Sequence, residues 1–290
     1  MKTNEGYFLT PQGDQLYYQY WLPDAIPKAA LLVVHGLAEH CGRYMNIVNY
    51  FTPLGYAVYG IDHVGHGKSD GTRVYINSFE NFIEPLHTYS EMVHAWQPGL
   101  PMYLFGHSLG GLIGAIYLLD YQNDLKGAIL SSPAIKIPDY VTPPTIVLGK
   151  ILSTLARKVG LIGLDARSIS RDQTVVQEYI NDPLVTTGKT TARLASEMLR
   201  SMQRVGAEAS KIALPILIVH GSQDKLISPE ASRLLYEIAG STDKTLIIYD
   251  GFYHEVFNEP EHDQVFLDME SWLDRQIDQK DNRYENLYQR

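Results

Sequence analysis

Cysteine is almost missing from this chain, with one residue, Cys41, among 290. A single thiol cannot close an intrachain disulfide or supply a cysteine-based metal site. Basic residues are scarce too, 24 lysines and arginines against 33 aspartates and glutamates, for a formal net charge of −9. With no basic run to offset that balance, the sequence argues against a nucleic-acid partner. No stretch approaches the roughly 18 to 20 apolar residues of a membrane span. Met1 to Thr10 is polar and lacks an apolar core of signal-peptide length, so the protein is expected to be unexported and cytoplasmic, meeting a membrane only from its surface.

Cofactor signatures are lacking as well. There is no Gly-x-Gly-x-x-Gly fingerprint and no phosphate-binding loop. His63 and His66 are three apart, but glycines flank them and no third and fourth ligands accompany them. His254-Glu255-Val256-Phe257-Asn258 carries asparagine where a zinc-protease helix needs its second histidine. Neither metal nor cofactor is expected.

What is present begins with a core: 45% of the residues are apolar and 20% charged, ordinary for a soluble globular chain. Gln15 to Leu22 is aromatic and partly alternating, the pattern of an early strand paired antiparallel near a sheet edge. Ala29 to His35, Tyr56 to Ile61, Met102 to Gly106, Gly127 to Leu130 and Pro215 to His220 are short, nearly continuous apolar runs, and Thr245 to Tyr249 supplies a last strand. Runs of that kind, spaced by helical patterns, predict a doubly wound, mostly parallel sheet with helices on both faces. Asn77 with Glu80 predicts a capping box for a helix reaching about Trp96, and Gln264 to Ile277 a closing amphipathic helix before a polar, frayed tail.

The strand rhythm breaks between Pro133 and Leu214, where no convincing buried strand is found. Leu148, Ile151, Leu152, Leu155 and Val159 fall on one face of a helix there, with Lys150, Arg157 and Lys158 away from its centre, and a second helical pattern runs from about Thr190 to Val205. The expected organisation is therefore an α/β core, residues 1–132 and 215–290, with a helical cap inserted at 133–214. An apolar face on such a cap can pack on the core, line a trough for an acyl chain, or meet lipid.

Chemistry is concentrated at Gly106-His107-Ser108-Leu109-Gly110, a Gly-x-Ser-x-Gly nucleophile elbow between a strand and the apolar helical run that follows. The turn exposes its serine at a helix N-terminus, where unpaired amides can receive a developing oxyanion. Ten histidines compete for the role of base. His254 follows the last strand, on the sheet edge where α/β folds place ligands. His107 adjoins the serine and is expected to point elsewhere, and His220 belongs to a core strand. The acid should follow the preceding strand, which nominates Asp224, with Asp250 as its rival. The amides of Leu37 and Leu109 are the candidate oxyanion donors.

His35-Gly36-Leu37-Ala38-Glu39-His40-Cys41-Gly42-Arg43-Tyr44, Asp62-His63-Val64-Gly65-His66-Gly67-Lys68-Ser69-Asp70-Gly71, the elbow, Asn181-Asp182-Pro183-Leu184 and Asp250-Gly251-Phe252-Tyr253-His254 together resemble the monoacylglycerol lipase and lysophospholipase branch of the α/β-hydrolases. The similarity spans most of the chain. It implies a triad of Ser108, Asp224 and His254, and a polar glycerol pocket walled by Glu39 and Arg43, with Tyr179 bonding the glycerol. Glu39 and Arg43 could equally form an ion pair that braces the loop, and Tyr179 could simply pack the cap. Two positions depart from the family: Leu37-Ala38 stands where mammalian members carry Ala-Gly, and Ile227 where they carry cysteine. The implied activity is serine ester hydrolysis of monoacylglycerol, a lipid ester substrate, without cofactor and with peripheral membrane contact through the cap. The alternatives are a lysophospholipase or broad carboxylesterase and, in another class, a non-catalytic binding protein on the same fold.

Overall fold

The structure, a computed structural model, describes residues 1–137 and 142–288, without the side chains of residues 143, 145, 147–150, 162 and 279–288. Its frame is an eight-stranded sheet. The first half comprises β1 (Lys2–Leu9), β2 (Gln15–Leu22), β3 (Ala29–Val34), α1 (Met45–Phe51), β4 (Tyr56–Ile61), α2 (Glu80–Trp96), β5 (Met102–His107), α3 (Leu109–Tyr121) and β6 (Gly127–Ser131). There follow α4 (Pro143–Leu155), β7 (Gly160–Ile162), α5 (Gln173–Asn181), β8 (Thr190–Thr191) and α6 (Ala192–Glu208), then β9 (Ile216–Gly221), α7 (Glu230–Ile238), β10 (Lys244–Tyr249) and α8 (His262–Tyr288). In space the strands run β1-β2-β4-β3-β5-β6-β9-β10, parallel from β4 onward. Only β1 and β2 are antiparallel, at one edge.

The near-continuous apolar runs are buried because helices cover both faces. On one face Ala30, Leu32 and Val34 of β3 meet Phe82, Leu86 and Tyr89 of α2 and the apolar α3. On the other, Leu31 and Val33 meet Ile47 and Phe51 of α1 and Phe266, Met269 and Trp272 of α8. Trp272 is 1% exposed. Removing a ring of that size from a packed core costs about 3–5 kcal/mol.

Four local expectations need correcting. Met1 to Thr10 is polar yet holds β1, because an exposed edge strand needs only main-chain pairing, here with β2 from Lys2↔Leu22 to Leu9↔Gln15. The Asn77/Glu80 capping box does not form: the Asn81 carboxamide oxygen instead accepts from the amides of Asn77 and Ser78, and α2 starts without a side-chain cap. α8 continues to Tyr288, past the expected end at Ile277, so the tail is helical. The segment leaving the sheet after β6 also contains a small β7–β8 pairing that its sequence does not announce.

β6 and β9 are neighbours in the sheet, Ala128↔Ile216 through Ser131↔Val219, although the chain between them holds α4 to α6. That excursion leaves from the carboxyl end of β6, the edge that also carries Ser108, and returns at the amino end of the parallel strand β9. Ile151, Leu155 and Val159 are exposed, at 50%, 81% and 48%, so this face does not pack on the core. Leu152 is half-buried, and the side chains of Leu148 and Lys150 lie outside the described residues.

Candidate active site

β5 ends at His107 and α3 begins at Leu109, so Ser108 makes the whole turn, at φ 55° and ψ −114°. Positive φ is strained for a residue with a Cβ, by about 1–3 kcal/mol. Tertiary hydrogen bonds hold it: the Ser108 amide donates to Ser131 O at 2.9 Å, and Ser108 O accepts from Ala134 N at 3.0 Å. The two glycines are required by close approach. A Cβ on Gly106 would lie 2.5 Å from Gly110 O, and one on Gly110 would lie 2.0 Å from Val34 O.

Leu109 opens α3, where the first amides have no intrahelical acceptor. Leu37 follows Gly36, whose Cβ, if it had one, would sit 3.4 Å from Ser108 Cβ. Among the described residues, neither the Leu37 nor the Leu109 amide donates to a protein acceptor. Ala38 has φ 68°, a left-handed conformation that costs a residue with a Cβ and that glycine adopts freely.

The loop after β9 supplies Asp224. Its Oδ1 accepts from the amides of Leu226 and Ile227 at 2.8 and 3.0 Å, while Oδ2 faces His254 Nδ1 at 2.6 Å. A second histidine, His220, reaches the same Oδ2 at 3.0 Å from within β9, its other ring nitrogen 2.7 Å from Ser232 Oγ. Burial works against the carboxylate, but the paired charge of His254 and the hydrogen bonds from both histidines outweigh it and hold Asp224 well below the usual range. Burial likewise opposes the His254 imidazolium, yet the adjacent Asp224 charge and hydrogen bond dominate and raise the His254 pKa. The rival acid, Asp250, is exposed and takes a hydrogen bond from Ser222. His107 does not point away as expected. Its ring packs 4.7 Å from that of His254, with Nδ1 3.2 Å from Ser131 Oγ, and burial pushes its pKa well below the ordinary imidazole value.

Beside this pair lies a buried charge cluster. Arg43 pairs with Glu39, and its fork closes on both oxygens of Glu255 at 2.8 and 2.9 Å. Glu39 Oε1 accepts from Gly36 N and Tyr44 OH, each at 2.6 Å, which ties the ion pair to the loop beside Ser108. The Tyr179 ring of α5 lies under the Arg43 guanidinium at 4.6 Å. Burial raises Glu39, and Arg43 only partly offsets it. Glu255, though equally buried, is pulled down to about 2 by Arg43. An open cavity of about 330 Å³ borders the cluster, lined among others by Arg43, Asn46, Glu178, Asp182 and Asn258.

The structure thus brings Asp224 and His254 into direct contact, gathers Ser108, Leu37 and Leu109 at neighbouring strand ends, and joins Glu39, Arg43 and Tyr179. Sequence reasoning misses Glu255 and His220. The available signals were that Glu255 adjoins the candidate base and that His220 sits four residues before the candidate acid.

Set beside known proteins, residues 25–261 match a family model described as serine aminopeptidase, S33. A monoacylglycerol lipase of Mycolicibacterium smegmatis is 38% identical over 90% of this chain and 93% of its own. The human monoglyceride lipase is 33% identical over 92% of this chain and 89% of its own. Among solved structures, a monoacylglycerol lipase of Paleococcus ferrophilus superposes with a TM-score of 0.81 at 32% identity, covering 90% of this chain and 99% of that one.

Proposed function

The chain belongs to the monoacylglycerol lipase and lysophospholipase branch of the α/β-hydrolases, within the serine aminopeptidase S33 family, and on that premise we propose that it cleaves monoacylglycerol to fatty acid and glycerol through Ser108, His254 and Asp224. The observation that carries this reading is the 2.6 Å contact between His254 Nδ1 and Asp224 Oδ2 beside a strained serine. That contact fixes the imidazole tautomer with Nε2 free to take a proton.

Ser108 Oγ attacks the ester carbonyl as His254 removes its proton. The oxyanion so formed accepts from the Leu37 and Leu109 amides, a contribution of about 3–4 kcal/mol per donor in well-studied holes. His254 then protonates the departing glycerol oxygen. Water, deprotonated by the same histidine, releases the fatty acid from the acyl-serine. Asp224 stays ionised throughout and stabilises each imidazolium.

The segment 133–214 acts as the cap. Tyr179, Glu39 and Arg43 shape the glycerol side, and the half-buried Leu152 flanks the acyl chain. Exposed Ile151, Leu155 and Val159, flanked by exposed Arg157, support peripheral contact with an anionic membrane surface of the cytoplasm. Among the described residues no helix is long and apolar enough to cross a membrane.

Release of fatty acid from monoacylglycerol, diacylglycerol, lysophosphatidylcholine and short esters, measured side by side, tests the assignment. Monoacylglycerol is expected to be preferred; preference for the lysophospholipid overturns it.

A further inference from the structure

The main chain around His254 is tied both to the cap, with the segment leading into it, and to a buried carboxylate of its own loop. His254 O accepts from Ser132 Oγ at 2.8 Å, at the point where the chain leaves β6 for the cap. The next amide, Glu255 N, donates to Ile169 O at 2.7 Å, in the cap segment between β7 and α5. The preceding amide, Tyr253 N, donates to Glu259 Oε1 at 2.9 Å. Glu259 is itself a junction. The same Oε1 accepts from Arg171 N at 3.1 Å, and Oε2 accepts from Arg171 Nε at 2.6 Å. Arg171 also pairs with Glu261 and stacks over Phe252 at 5.1 Å, and Ser170 Oγ donates to Asn258 O at 2.9 Å. The Glu259 side chain is 0% exposed.

One buried carboxylate therefore receives the amide just before the catalytic histidine together with the main chain and side chain of a cap residue. A carboxylate so placed cannot shift without moving either the cap or His254. We propose that Glu259, clamped by Arg171, is a positioning residue that sets His254 against Asp224, so that the Ile169–Arg171 segment of the cap is part of the catalytic framework and does not swing as a lid. This rests on His254 being the base.

The readouts follow from geometry. Charge-assisted hydrogen bonds are strongly distance-dependent, and small displacements of a catalytic group cost about 10- to 100-fold in rate. His254 is faced by Asp224 from the loop after β9, His107 from β5, Glu39 from the loop after β3 and Glu255 beside it. Of these, only Asp224 hydrogen-bonds its ring. Relaxing the loop weakens that bond and leaves burial, which opposes the imidazolium, offset only by the smaller effects of the Glu255 and Glu39 charges.

The test uses the full chain with monoacylglycerol substrate, rates being normalised to phosphonate-titrated active sites. Glu259→Ala is expected to lower kcat per site about 10- to 100-fold, to change KM by no more than about threefold, and to move the acid limb of kcat/KM to lower pH. Arg171→Met keeps the Glu259–Tyr253 contact and is expected to give the same pattern at a smaller size. If Glu259→Ala yields no folded protein, Arg171→Met carries both readouts. A normal kcat per site, or an unmoved acid limb, in the variant that folds overturns the proposal and leaves Glu259 a stabilising brace. His254→Ala runs alongside: if it stays active, the base assignment falls first; if it is inactive, a negative result at Glu259 belongs to the positioning proposal alone.

Discussion

Arg43 closes on both carboxylate oxygens of Glu255, at 2.8 and 2.9 Å, although 212 positions separate them in the chain. Glu39 completes the cluster from the other side, so one buried cation serves two buried carboxylates. Replacing Arg43 with methionine strands both acids, and breaking a buried pair in this way costs about 3–5 kcal/mol. Without the cation, burial raises both carboxyl pKa values above their unfolded ones, so the folded state binds more protons and loses stability as pH rises. The deficit relative to wild type should be smaller at pH 5 than at pH 8 in urea melts. A deficit that is equal at both contradicts this account of the cluster.

Asp224→Asn removes the charge that raises His254. In the Ser-His-Asp template, loss of this carboxylate lowers kcat about 10⁴-fold. The acid limb of kcat/KM should also move down, because burial alone disfavours the imidazolium. Both are read from a pH–rate profile on a soluble ester. A limb that stays in place assigns it to another group.

The legibility of the molecule followed burial. The parallel strands were readable because residues covered on both faces form continuous apolar runs, as in Ala29–Val34 and Ile216–Gly221. β1 was not, since an exposed edge strand tolerates lysine, threonine and glutamate. In the site, Ser108, Asp224 and His254 could be placed because each follows a strand in a known chain order. Glu255, His220 and Glu259 could not, because their roles depend on partners contributed by distant segments: Arg43, the Asp224 carboxylate and Arg171. Helix starts were the weakest point: at α2 the Asn81 carboxamide takes the amides of Asn77 and Ser78, and Glu80 N donates to Ser78 Oγ and not to Asn77.

Acid should destabilise the fold before carboxylates titrate. His63 and His66 are buried, and burial depresses their pKa values to about 3 and about 4. The unfolded chain protonates them near 6.5, so below that pH it binds more protons than the folded state, and stability falls as pH drops. Each contributes up to about 1.4 kcal/mol per pH unit in this window. His254, with its raised pKa, works in the opposite sense and offsets part of the loss. Urea melts at pH 7, 6 and 5 should show declining stability, less steep in His63→Phe. A flat profile contradicts the burial-based account.

Leu155 and Ile151 offer apolar surface on α4 at 81% and 50% exposure. A Leu155→Glu, Ile151→Glu double variant should lose binding to vesicles containing anionic lipid and activity on dispersed monoacylglycerol, while retaining hydrolysis of a soluble short-chain ester within about twofold. Equal losses on both substrates would place these side chains in the catalytic pocket and not at the lipid surface.

The central claim is that Ser108 is the nucleophile, and its most direct test is labelling with an active-site fluorophosphonate followed by peptide mapping. The account predicts stoichiometric modification of Ser108 in the native protein, loss of esterase activity in step with labelling, and no labelling of Ser108→Ala. Unlabelled native protein, or labelling that persists in Ser108→Ala, would contradict it.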